Sequence, residues 1–403
     1  MSASNSATTV LRNARLVLPD RTAEHASLLV QNDRIARLLE STSDPLPTSD
    51  STIDLDGLTL FPGFIDVHIH GAMGVDTMDA EATDLEHVSQ FLATRGVTGW
   101  LPTLVPAAPA NYARSTRAIT QAMKDEEHSE QPRGARILGV HYEGPFVNSA
   151  QCGALHSQFF RSFSSASQLD DLPLIEQPAA KHMITVAPEI EGGVELVREL
   201  DHRGWIVSIG HTRADFEVLD NALAAGARHM THFMNAMPPL HHRSPGPVAW
   251  GLLRDAVTCD VIADGIHLDV HMLQLLLKLK GVDRLMLISD AIAAAGKGDG
   301  EYEIWEETIT VTDGRTRNRS GSIAGSVITM LEAVGVMSSL GVAEVDLAKI
   351  AATNPARLLG IDQDSGSIEE GKRADLVALD SDGRVVLTMI GGMIIFDDRK
   401  KDD

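Results

Sequence analysis

Between residues 62 and 358 the chain alternates short apolar runs with longer segments whose apolar positions recur at helical spacing. Eight runs read as strands: FIDVHIH (64–70), GWLPTL (99–104), RILGVHYEG (136–144), MITVAPE (183–189), WIVSIGH (205–211), RHMTHFMN (228–235), CDVIADG (259–265) and RLMLISDA (284–291). Between most of them lie segments such as DLEHVSQFLATRG and DFEVLDNALAAG, with helical spacing and a glycine at the stop. Eight strands alternating with helices predict an α/β fold, a (β/α)8 TIM barrel, with a doubly wound open sheet as the alternative. The pattern changes at both ends. Residues 8–60 and 374–395 read as short strands separated by turn residues, the first group interrupted by the Ser/Asp/Pro-rich connection STSDPLPTSDS at 41–51. The expectation is one small β-sandwich domain built from residues 1–61 and 359–403, attached to a barrel of residues 62–358.

A barrel places functional residues at the C-terminal ends of its strands. The expected strands end in His68 and His70, Glu143, His211, His232 and Asp290. In the stretch PGFIDVHIHG, strand alternation puts Asp66, His68 and His70 on one face. Taken alone, that pair of histidines is equally well read as two polar residues where a strand meets solvent. Recurrence of ligand-type residues at the same point of successive strands favours a metal site. Imidazoles with a carboxylate suit a borderline divalent ion: zinc first, with iron, manganese or cobalt (Fe2+, Mn2+, Co2+) as alternatives. Such an ion lowers the pKa of a bound water to about 7. Asp290 is then placed to serve as general base and later general acid; its bland alternative is a helix N-cap at SDAIAAAG.

Charge and composition narrow the field. A formal net charge of -22 over 403 residues argues against nucleic acid or an anionic membrane surface as partner. It also means that an anionic ligand must be captured by local positive groups. Two cysteines, Cys152 and Cys259, cannot build a disulfide framework. The first twenty residues lack a basic start followed by an apolar stretch, so no signal peptide is expected, and no run is long enough for a membrane span. A cytoplasmic protein is the expectation. No G-x-S-x-G elbow, Walker A loop or dinucleotide fingerprint is present, and GKGDG at 296–300 reads as a turn.

The motifs PGFIDVHIHG, TNPARLLGI and GSIEEGKRADLVALD resemble the amidohydrolase superfamily. HYEGPFVN (141–148), SIGHT (208–212), THFMNAMPPLHHRSPG (231–246), DGIH (264–267), ISDA (288–291) and GSIAGS (321–326) occur in the order of its N-acetylglucosamine-6-phosphate deacetylase branch, and the similarity runs from about Arg12 to Met393. The resemblance implies a metal-dependent barrel with a split β-sandwich domain. It implies that Glu143, His211 and His232 hold the principal ion, that His68 and His70 serve a second one, giving one or two per subunit, and that Asp290 is the catalytic acid/base. It further implies substrate contacts from Asn235, Ala236 and His267, from Arg243 across a homodimer interface, and from a loop containing Ile323, Ala324 and Gly325. The implied reaction is removal of acetate from a sugar-phosphate substrate, N-acetylglucosamine 6-phosphate.

One departure stands out. The branch commonly carries Gly-x-His six residues after EGPF, whereas this chain reads VNSAQCGALH. Leu155 therefore occupies the histidine position, Ala154 precedes it, and His156 is the candidate replacement. That change opens an alternative substrate, such as N-acetylgalactosamine 6-phosphate or another N-acyl compound. A non-catalytic scaffold is disfavoured because none of the six strand-end residues is lost.

Overall fold

The computed structural model describes residues 7–40 and 45–401. The first six residues and positions 41–44 of the polar connection lie outside the described residues.

All eight expected barrel runs form strands, and they pair in parallel. The first two, Phe64–Ile69 and Val97–Leu104, are buried at every position, as strands covered on both faces must be. The third run is split into Arg136–Ile137 and Gly139–Glu143. Lys181–Val186, Ile206–Ile209, His229–Met230, Thr258–Ile262 and Leu285–Ile288 follow, each paired to the one before. Closure comes beyond the eighth strand. There the Asp290 N–H donates to the His68 carbonyl at 2.9 Å and the His70 N–H to the Ala291 carbonyl at 2.7 Å. The sheet is thus a nearly closed parallel barrel rather than an open one.

Helices pack outside where the spacing predicted them. Ala82–Ala93 begins at a reciprocal Glu81–Asp84 capping box. Phe216–Ala225 begins where the Asp215 carboxylate accepts the Val218 N–H at 3.0 Å and ends at Gly226, φ 126°. No helix begins at Asp290; the chain there enters a succession of turns, so the N-cap reading of that residue fails.

Eight short strands form a second, mixed sheet. Its order is Met393–Asp397, Val385–Ile390, Leu376–Leu379, Thr59–Pro62, Thr8–Val17, Thr22–Gln31 and Arg34–Leu39, with Ser51–Asp54 also paired on Thr8–Val17. It has its own apolar core, in which Leu11, Leu28, Ile35 and Leu60 meet Leu376, Leu387 and Met389. A three-stranded antiparallel sheet, Gly300–Ile304, Glu307–Thr312 and Arg315–Arg317, was not foreseen from the sequence. It projects from the chain just after the eighth barrel strand, above the rim.

Candidate metal centre and active site

The strand-end residues converge, but most stand just past their strands. Glu143 closes the third strand, whereas His211, His232 and Asp290 each lie two residues beyond a strand end. Those three have φ of 47°, 30° and 51°, a left-handed backbone that side chains other than glycine rarely adopt. A strained turn at this point swings each side chain over the barrel mouth, where a continuing strand would direct it along the wall. The sixth strand is short for this reason. After Met230 the chain turns, the Phe233 N–H donating to the Asp260 carbonyl at 2.9 Å and the His232 N–H to an Asp260 carboxylate oxygen.

Glu143 Oε1 lies 2.9 Å from Nε2 of both His211 and His232, and those two nitrogens are 3.1 Å apart. His68 Nε2 and His70 Nε2 are also 3.1 Å apart. His70 Nε2 is 3.4 Å from Glu143 Oε2 and 3.2 Å from Asp290 Oδ1, and His68 Nε2 is 3.3 Å from the same Asp290 oxygen. Two metal-capable triads result, His68–His70–Glu143 and Glu143–His211–His232, sharing the glutamate. Lone pairs of facing imidazole nitrogens at such distances repel, and a cation between them converts the repulsion into shared coordination. The Nδ1 atom of His211 lies 2.7 Å from the Gln151 carbonyl, which sets that nitrogen as the donor and leaves the Nε2 lone pair for a ligand. The donor set therefore fits a divalent metal.

Electrostatics point the same way. Burial alone would raise the Glu143 carboxyl, yet His68, His211, His232 and His70 hold it well below the usual carboxylate range. Burial drives His68 well below its ordinary value. Burial also opposes charge on His70 and His232, but Asp290 and Glu143 push His70 up to about 10, and Glu143 chiefly pushes His232 up to about 9. The two carboxylates thus demand compensating positive charge, which protons or a divalent ion can supply.

His70, Glu143, His211, His232 and Asp290 line a cavity of roughly 340 Å³ together with Ala154, Leu155, Asn235, Ala236, His267, Trp305, Ile323 and Gly325. Asn235 Nδ2 is buried there without a hydrogen-bond partner. The Nδ1 atom of His267 is engaged by Asp264 at 2.7 Å, so Nε2 remains for a ligand. His68 lies beneath the cavity, fully buried. Two expected contacts, His156 and Ala324, sit elsewhere, while Arg243, expected to act across a dimer interface, lies outside this subunit's own cavity. His156 lines a neighbouring cavity, at the N-cap of the 3-10 turn Ser157–Phe159. Arg243 is exposed on its loop, with Nη1 2.8 Å from His242 Nε2. Ala324 is fully buried and packs inward with Ile292 and Ile309, while its neighbours Ile323 and Gly325 face the cavity. Trp305, at the tip of the unforeseen hairpin, was missed from the sequence because a lone tryptophan carries no motif. The available signal was the alternation in EYEI and ETITVT on either side of it.

A model of the amidohydrolase family matches residues 59–395. The chain belongs to the amidohydrolase family. Among amidohydrolases it is 39% identical over 347 residues to the N-acetylglucosamine-6-phosphate deacetylase of Bacillus subtilis (strain 168), covering 85% of this chain and 86% of that one. It is 34% identical over 388 residues to the N-acetylgalactosamine-6-phosphate deacetylase of Escherichia coli O157:H7, covering 96% and 99%. Among solved amidohydrolase structures it matches a Mycobacterium smegmatis N-acetyl-D-glucosamine-6-phosphate deacetylase variant in complex with N-acetyl-D-glucosamine-6-phosphate. The TM-score is 0.85 at 28% identity, covering 97% of this chain and 99% of that one. Among the described residues, no helix is long and apolar enough to cross a membrane.

Proposed function

We propose that this chain is a metal-dependent deacetylase that hydrolyses N-acetylglucosamine 6-phosphate to glucosamine 6-phosphate and acetate. One observation carries the reading: a single cavity joins the Glu143–His211–His232 triad, the Asp290 carboxylate and a polar far wall of Asn235 and His267. The names of the Bacillus subtilis and Mycobacterium smegmatis relatives support it.

Glu143, His211 and His232 would hold the principal ion, and His68 and His70 with Glu143 a second. Zinc suits nitrogen and carboxylate donors best, with iron, manganese or cobalt as alternatives. The ion supplies Lewis-acid polarisation of the acyl carbonyl and water acidic enough to react at neutral pH. Asp290 takes the proton from the attacking water and delivers it to the leaving nitrogen. Its Oδ1 is held between the His68 and His70 rings, on the cavity side of the rim. Asn235 Nδ2 and His267 Nε2 offer hydrogen bonds to the sugar phosphate, and the loop of Ile323 and Gly325 covers it and excludes water. Arg243, outside its own cavity, would reach the phosphate of a second subunit, so a homodimer belongs to the reading. The mixed sheet, residues 1–61 with 359–403, is read as one domain and residues 62–358 as the catalytic one, working in the cytoplasm.

The test is acetate release by zinc-loaded protein from N-acetylglucosamine 6-phosphate, its C4 epimer and the unphosphorylated sugar. Preference for the phosphorylated gluco compound supports the proposal; turnover of none of the three refutes it. Preference for the epimer establishes the second reading, an N-acetylgalactosamine-6-phosphate deacetylase, which Leu155 in place of the branch's histidine and the Escherichia coli relative favour.

A further inference from the structure

A second cavity, of about 110 Å³, adjoins the catalytic one and shares three wall residues with it: Ala154, Leu155 and Trp305. Its remaining apolar wall is Met78, Val105, Pro106, Ala107 and Phe159. Two polar groups line it, Asn111 and His156, and His156 Nε2 is a buried nitrogen with no hydrogen-bond partner. Asp79 and Glu306 also border it, so an anionic group is repelled. Since a water-sized group occupies roughly 30 Å³, the cavity has room for a chain of about three to five heavy atoms.

Its position in the barrel indicates what enters. Met78 follows the first strand, and Val105 to Asn111 follow the second. Asn235 and Ala236 follow the sixth strand and His267 the seventh, on the far side of the metal cluster. In a six-membered sugar ring, C2 and C5 stand opposite each other. With the C6 phosphate at Asn235 and His267 and the C2 amide at Asp290, the acyl chain extends toward the first two strands.

Trp305 forms the common wall. Its ring stands edge-on to the His70 ring, centroids 5.2 Å apart. It sits in a two-residue hairpin turn with Glu306, at φ 53° and 61°, positions that glycine and asparagine normally fill. Its indole N–H faces the Asp76 carboxyl, yet Trp305 Nε1 completes no hydrogen bond. Its side chain packs against both the barrel core and the core of the small antiparallel sheet, and with Ala154 and Leu155 it divides the two cavities.

We propose that the second cavity is an acyl pocket, entered past Trp305, that accepts neutral N-acyl chains of about three to five carbons, with His156 meeting a terminal hydroxyl. The inference rests on the deacetylase reading above. The reaction is the same hydrolysis: water oxygen forms the new C–O bond, the C–N bond breaks, and the amine leaves with the water's proton as the carboxylate is released.

The experiment compares kcat/KM of the zinc-loaded protein for the N-acetyl, N-butanoyl and N-(4-hydroxybutanoyl) derivatives of glucosamine 6-phosphate. The expected result is N-butanoyl within thirtyfold of N-acetyl, with the hydroxylated chain better than N-butanoyl and that advantage lost in His156→Phe. Asn111→Trp, at an exposed helix position on the pocket wall, lowers the butanoyl-to-acetyl ratio at least tenfold and leaves the N-acetyl rate unchanged; Ala107→Leu, deeper in the wall, does the same. N-Butanoyl more than thirtyfold poorer than N-acetyl, or a ratio that both filling variants leave untouched, overturns the pocket. If no derivative is hydrolysed, the deacetylase reading fails, and binding to zinc-loaded Asp290→Asn decides the pocket by itself. Two further methylenes at about fourfold each predict roughly fifteenfold tighter binding of the butanoyl compound, abolished by adding Asn111→Trp. Equal affinities overturn it.

Discussion

Asp260 accepts the backbone N–H of His232 with one carboxylate oxygen, and its other oxygen lies 2.8 Å from His229 Nε2. The carboxylate is fully buried and pins the strained turn from which His232 reaches Glu143. Asp260→Asn keeps the shape but points an amide N–H at one of these partners. Metal affinity, read by dialysis against graded chelator, falls about 10–100-fold. An unchanged affinity would show that the turn holds itself.

Asp290 is a different case, because it is placed to move a proton. Asp290→Asn lowers kcat about 10²–10⁴-fold while bound metal and melting temperature stay near wild type. Undiminished turnover in a metal-replete variant would remove Asp290 from the mechanism.

Removing the ion has a thermodynamic signature as well as a catalytic one. A ligand that binds only the folded state at a thousand times its Kd stabilises by about 4 kcal/mol. Chelated protein therefore melts several degrees lower and is inactive, and zinc restores both properties together. Recovery of stability without activity would mean that the ion is structural.

Acid stability should depend on a residue far from the cavity. Asp375 is buried, which alone would raise its carboxyl, but Arg136 at 2.8 Å and Arg373 at 3.3 Å hold it below the usual value. With the folded pKa depressed, its contribution is fully present above the unfolded carboxylate range and is lost as pH falls through the folded value. Asp375→Asn costs about 3 kcal/mol at neutral pH, by analogy with other broken buried pairs, and flattens the acid limb of the stability curve. Parallel acid limbs in denaturant titrations would contradict this.

The barrel was legible because its strands are continuously apolar and its helices carry stops, both local properties of the sequence. The residues that form the two metal-capable triads stood out because they recur at the ends of barrel strands. Their strained turns did not: the run RHMTHFMN reads as an eight-residue strand, and only the buried Asp260 carboxylate, brought from the next strand, makes it turn after Met230. His156 lines the neighbouring cavity from the N-cap of the 3-10 turn Ser157–Phe159, and nothing in the spacing encodes that direction. Ala324 turned inward for a steric reason. Gly325, at φ 56°, passes so close that a Cβ there would stand 2.8 Å from the Asp290 carbonyl, which commits its neighbour to the opposite side. Trp305 borders both cavities from a hairpin whose alternation was visible but whose destination was not.

The strand Thr59–Pro62 lies parallel to Thr8–Val17 on one side and antiparallel to Leu376–Leu379 on the other. A ribosome adds roughly 5–20 residues each second, so about 15–60 s separate the emergence of that strand from its second partner. Throughout that interval the nascent chain presents an open β-edge, a template for association with other chains. The vulnerable phase of this protein's biogenesis therefore belongs to its first sixty residues, which wait for the last strands while the catalytic barrel is still being made.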